Sequence, residues 1–149
     1  MSSLLAKLLL VALAIGLANS QSYSDFFPEK SQYGFIPVGT KPDSKMFYWF
    51  FESRSNPDTD PLLIWLNGGP GCSSLIGLFF EQGPFEIKNQ GDTKATLRSV
   101  AWNQKANVIF LEQPLGVGFS DANPADAPQD RKDMQDQFWQ FITGWINLP

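Results

Sequence analysis

The sequence contains no histidine and no Gly-x-Ser-x-Gly pattern. A serine nucleophile needs a base such as imidazole to take its proton. The chain therefore carries no attacking half of a serine-type hydrolytic site, and Ser73, Ser74 and Ser120 are not substitutes for one. Cysteine is nearly absent as well: Cys72 stands alone, so no disulfide can close within the chain. No Asn-x-Ser/Thr acceptor occurs, which excludes N-glycan attachment. Basic residues are in deficit, 11 against 15 acidic for a formal charge of −4, and a nucleic-acid surface needs the opposite balance. The glycines around position 69 are not followed by the lysine of a phosphate-binding loop. No metal and no cofactor is expected.

Long apolar runs are also missing, apart from one near the N-terminus. There Lys7 is the only charge in the first twenty residues, Leu8 to Ala18 is apolar with one glycine, and Ala18-Asn19-Ser20 forms a small-x-small cleavage site. Residues 1–20 are expected to be a secretory signal peptide, with residues 21–149 as the domain. The run is too short for a membrane anchor, because it crosses only about half of a hydrocarbon core of roughly 30 Å. Removal of Lys7 with the signal leaves ten basic against fifteen acidic residues. An exported chain with a single thiol is unusual: Cys72 either packs as a small apolar residue or pairs with sequence outside this chain.

What is abundant is aromatic. Five Trp and thirteen Phe in 149 residues point to an aromatic core or a lined pocket in one domain. Tyr33 to Val38 reads as a short strand and Lys45 to Phe51 as a second, rich in aromatic residues. Leu62 to Leu66 reads as a third, apolar on both faces and hence expected between layers. Leu75, Leu78 and Phe79 recur at helical spacing until Gly83. Val108 to Leu111 reads as another buried strand, followed by a second glycine-rich turn, Gln113 to Gly118. From Asp130 onward, Met134, Phe138, Phe141, Ile142 and Trp145 follow the 3.6-residue period of an amphipathic helix. Apolar strands alternating with helices indicate an α/β fold around a mixed, mainly parallel sheet.

The most informative segment is Ile64 to Leu75, IWLNGGPGCSSL. Strand, glycine turn and helix start follow in that order, which aims bare backbone N–H groups at whatever lies beyond the strand's end. Three blocks, KMFYWFFES, DPLLIWLNGGPGCSSLIGLFFEQGPF and SVAWNQKANVIFLEQPLGVGFSD, together resemble the N-terminal third of serine carboxypeptidases, which have the α/β-hydrolase fold. The resemblance implies that the Gly69 N–H is one arm of an oxyanion hole. It further implies that Trp65, Asn67, Gly68 and Glu81 bind the free carboxylate of a peptide or protein C-terminus. Glu81 beside a substrate carboxylate makes a like-charge pair, so binding should tighten at acidic pH. Relatives suggest cis bonds at Gly69-Pro70 and Gln113-Pro114, and a disulfide from Cys72 to a cysteine this chain lacks. They also place the nucleophile in a Gly-Glu-Ser-Tyr-Ala-Gly elbow, absent here.

The resemblance thus implies a hydrolase of the secretory pathway, secreted or held in an acidic lysosome- or vacuole-like compartment, of which this chain is an N-terminal part, inactive alone. Two alternatives stand beside it: a secreted, non-catalytic binder of peptide C-termini, and the N-terminal part of a carboxypeptidase-like acyltransferase. The expected partners are peptide C-termini and the missing C-terminal part of the same domain. In that frame, Val108 to Leu111 should present an unpaired sheet edge, leaving the chain poorly soluble or molten.

Overall fold

A computed structural model describes residues 27–148; the expected signal peptide lies outside them. Four strands form one mixed sheet: β1 (Ser31–Pro37), β2 (Lys45–Phe51), β3 (Leu62–Trp65) and β6 (Asn107–Leu111), in the order β1-β2-β6-β3. A small hairpin pairs β4 (Phe85–Glu86) with β5 (Thr96–Leu97). Among the described residues there are two α-helices, α1 (Leu75–Phe80), directly after the glycine turn, and α2 (Arg131–Ile146), and two short 3-10 helices, Trp102–Gln104 and Pro124–Asp126.

β1 and β2 form an antiparallel hairpin, and β2 runs antiparallel to β6. The parallel pairing is that of β3 with β6, in which Leu62 meets Asn107 and Trp65 meets Phe110. The sheet is therefore mixed, with its parallel part at the β3 end. β2 and β6 carry the core because their side chains alternate between two apolar faces. Phe47, Trp49, Phe51, Val108 and Phe110 pack on one face with Leu78 of α1. Met46, Tyr48, Ile109 and Leu111 pack on the other with Phe141 of α2. The aromatic abundance is thus mainly core: Phe51 lies edge-on to both Phe85 and Phe110, with centroids 5.5 and 6.0 Å apart.

Two expectations about the sheet need correction. All five residues of β6 are buried, and the strand lies between β2 and β3, so it is not the open edge. β3 is an edge of the described sheet, as β1 is on the other side, and Leu62 and Leu63 are 44% and 37% exposed. The cause is the path of the chain. After β3 and α1 it returns inward, and β6, apolar on both faces, takes the interior slot between β2 and β3. β3 is consequently not enclosed between layers.

α2 begins as its sequence indicates. The Asp130 carboxylate accepts from the Asp133 N–H at 2.9 Å, which caps one of the helix's free donors. Phe141 is fully buried, while Phe138, Ile142 and Trp145 are partly buried against the same cluster. No helix among the described residues is long and apolar enough to cross a membrane.

Candidate functional site

β3 delivers the chain into the glycine turn at Leu66 and Asn67. Gly69 has φ +128°, and a Cβ there would lie 2.9 Å from the Gly71 nitrogen. Only glycine satisfies both the conformation and the space. The Gly69-Pro70 and Gln113-Pro114 peptides are cis, as expected from the resemblance. Cys72 is a free thiol on the exposed side of the turn.

The Asn67 side chain is held in one orientation. Its Oδ1 accepts from the Trp65 indole N–H at 2.7 Å and from the Gly77 N–H at 3.1 Å. The Asn67 backbone N–H donates to Ser74 Oγ at 3.1 Å, and Ser74 is buried. With Oδ1 occupied twice, the amide's Nδ2 is the free end, with no partner among the described residues. It lies beside Gly68 and Gly69, both exposed.

Glu81 caps the far end of α1 and is exposed. Gln82 lies between Glu81 and the turn: with its amide turned so that the nitrogen faces Glu81, it sits 3.3 Å from Glu81 Oε2 and its oxygen 3.2 Å from the Trp65 indole nitrogen. Trp65 itself lies edge-on to Trp102, with centroids 5.3 Å apart. Trp65 and Asn67 are therefore in direct contact, Gly68 and Gly69 follow in the same turn, and Glu81 joins through Gln82. Among the described residues no group of three or more acidic, histidine or cysteine side chains is placed to hold a metal.

Sequence reasoning missed Gly77. A Cβ at that position would fall 2.2 Å from Trp65 Nε1, so its bare backbone is what lets the indole and Asn67 close onto α1. A glycine inside a helical pattern, which costs about 1 kcal/mol against alanine, was the available signal. Gln82, Trp102 and Glu112 were missed too. Of these only Glu112 had a signal, an acid at the end of an otherwise apolar strand.

A second carboxylate hub lies away from the turn. Asp126 Oδ2 accepts from Ser44 Oγ at 2.7 Å and from the Lys41 N–H at 2.9 Å. Its Oδ1 accepts from the Thr40 N–H and hydroxyl at 3.0 and 2.8 Å. The Ser44 hydroxyl foremost, then the Thr40 and Lys41 donors, hold this carboxyl well below the usual range. Asp126 thereby fastens the β1–β2 turn to the loop that precedes α2, a structural task.

A mixed sheet whose parallel strand runs into a glycine turn and a short helix is part of an α/β-hydrolase fold. Comparison with known proteins narrows this class. The sequence profile of the serine carboxypeptidase family matches residues 22–148, and the chain belongs to that family. It is 41% identical to Serine carboxypeptidase-like 16 of Arabidopsis thaliana, over 98% of this chain and 37% of that protein. It is 47% identical to Serine carboxypeptidase ctsa-3.1 of Caenorhabditis elegans, over 80% of this chain and 21% of that protein. The fold is similar to the crystal structure of Kex1(delta)p, a prohormone-processing carboxypeptidase from Saccharomyces cerevisiae. That match has a TM-score of 0.67 and 33% identity, over 79% of this chain and 28% of that one. The chain thus spans 37% or less of the length of these relatives.

Proposed function

We propose that this chain forms the substrate-receiving half of a serine carboxypeptidase site and does not itself hydrolyse peptides. In this reading Asn67 Nδ2 and the Gly68 N–H bind the C-terminal carboxylate of a peptide. Trp65 holds the asparagine, Glu81 borders the carboxylate, and the Gly69 N–H faces the scissile carbonyl oxygen. One such preorganised donor contributes roughly 2.7–4 kcal/mol to a transition state. The observation that carries the reading is the double occupation of Asn67 Oδ1, which leaves a neutral donor and no competing acceptor at the mouth of the turn. The chain has no imidazole to serve as the general base of a Ser-His-Asp triad, which supports the inactivity. We place the protein in the secretory pathway, on the character of residues 1–20.

The same geometry serves a binder of peptide C-termini that does not cleave them, and one experiment addresses both parts of the reading. The full chain is titrated with N-acetyl-phenylalanyl-leucine and with its C-terminal amide. The free acid is expected to bind at least tenfold tighter than the amide, and tighter still as pH falls. Asn67→Asp keeps the acceptor for Trp65 and Gly77 but turns an oxygen toward the ligand. It should weaken acid binding by about 10–100-fold, the range of a charge-assisted hydrogen bond. Equal affinity for acid and amide would refute carboxylate recognition. No release of leucine is expected at any pH, and stoichiometric labelling of a serine by a phosphonate would refute the inactivity.

A further inference from the structure

Glu112 directly follows β6 and is fully buried. Its main chain is anchored twice. The Glu112 N–H donates to the Phe47 carbonyl at 3.0 Å, and its own carbonyl accepts from Ser120 Oγ at 2.6 Å. That hydroxyl also accepts from the Phe47 N–H at 2.8 Å. From this fixed root the side chain reaches sideways to the turn that follows β3. There Oε1 accepts from Ser73 Oγ at 2.6 Å and from the Leu75 N–H at 3.2 Å.

Leu75 is the first residue of α1, and helix starts have free N–H groups that need acceptors. Ser74 occupies the capping position but makes no side-chain cap, because its hydroxyl is engaged with the Asn67 N–H. The Leu75 N–H is instead shared between Ser73 Oγ and the Glu112 carboxylate, each at 3.2 Å. The segment 68–73 is consequently pinned at one end through Asn67 and at the other through Glu112. The second glycine turn is shaped around the same carboxylate: a Cβ on Gly118 would fall 1.2 Å from Glu112 Oε2. Oε2 has no hydrogen-bond partner among the described residues. A buried, half-satisfied carboxylate is a poor stabilising device. Its placement is better matched to holding one geometry than to adding stability.

We propose that Glu112 is a positioning residue that fixes the glycine turn for carboxylate recognition. This rests on the turn receiving a peptide carboxylate, as proposed above. The test uses the full chain with Glu112→Ala, Glu112→Gln and Ser73→Ala, and reads two quantities. One is hydrogen exchange of the Leu75 amide relative to that of Asn67. The other is affinity for N-acetyl-phenylalanyl-leucine. In Glu112→Ala, Leu75 exchange should accelerate, and affinity should fall, by about tenfold each, the scale of one lost hydrogen bond. Glu112→Gln keeps an acceptor at Oε1 and should hold both readouts within about threefold of wild type. A folded Glu112→Ala chain with unchanged affinity would overturn the proposal. If that variant does not fold, Ser73→Ala must show both effects, at about threefold or more; an unchanged Ser73→Ala would overturn it. If wild type binds no peptide, the recognition reading fails by itself. Leu75 exchange then decides whether Glu112 holds the turn, and unaltered exchange in the variants overturns that.

Discussion

At Gly77 one added methyl group tests how the site is held. The alanine Cβ would meet Trp65 Nε1 at 2.2 Å, so the indole must move, and Asn67 Oδ1 loses its donors. Gly77→Ala is therefore expected to lower stability by about 1–3 kcal/mol, the usual range for overpacking, and to abolish preference for a free C-terminal acid. Thermal unfolding and the acid-versus-amide titration measure the two effects. Asp126 yields a pH prediction. Its carboxyl is depressed in the folded chain, below an unfolded value of about 3.9. Its contribution is therefore present above about pH 4 and lost as pH falls further. Asp126→Asn should destabilise the chain at neutral pH, and the gap to wild type should narrow on acidification below pH 4 in chemical denaturation. Trp65, Asn67, Gly68, Gly69 and Glu81 could be nominated from the sequence because they stand in one block that resembles the family. Gly77 and Glu112 left only weak sequence signals and Gln82 none, because their contacts are approaches between elements that no spacing encodes.

Among elements, β1 and β3 are the two edges of the described sheet, and β3 is the edge that leads into the glycine turn. It is four residues long, pairs on one side among the described residues, and shows Leu62 and Leu63 to solvent. Uncharged, apolar strand edges promote association between molecules. Leu63→Lys is expected to suppress concentration-dependent association of the chain, as read by sedimentation velocity, while leaving the β6 core intact. Unchanged association would place the contact elsewhere. β2, β6 and α2 could be read from residue patterns because each has a clear period. The sequence could not tell which of β3 and β6 is interior, since both are short apolar runs. Strand order is decided by where the crossover returns, and that depends on contacts distant in sequence.

For the whole molecule, the interior position of β6 changes the expected behaviour. Flanked by β2 and β3 and buried throughout, β6 contributes side chains to both hydrophobic clusters, one on each face of the sheet. A cooperative thermal transition is therefore expected, accompanied by association through β3 rather than a molten state. A broad, non-cooperative melt would contradict this. The family's α/β-hydrolase fold and a mixed sheet were legible in the conjunction of three sequence blocks; the described part is mainly antiparallel rather than mainly parallel, with β3–β6 its one parallel pair.

The order β1-β2-β6-β3 also sets a sequence of events in time. β1 meets β2 across a tight connection, Pro37 opposite Lys45, whereas Leu62 of β3 must find Asn107 of β6. The second pairing waits on closure of a far longer loop, and non-local strand pairing is intrinsically slow. In pulse-labelled refolding the β1–β2 amides should gain protection first, and the amides that pair β6 with β2 and β3 later. Because the glycine turn hangs from β3, competence to bind a peptide should arrive only once β6 has docked.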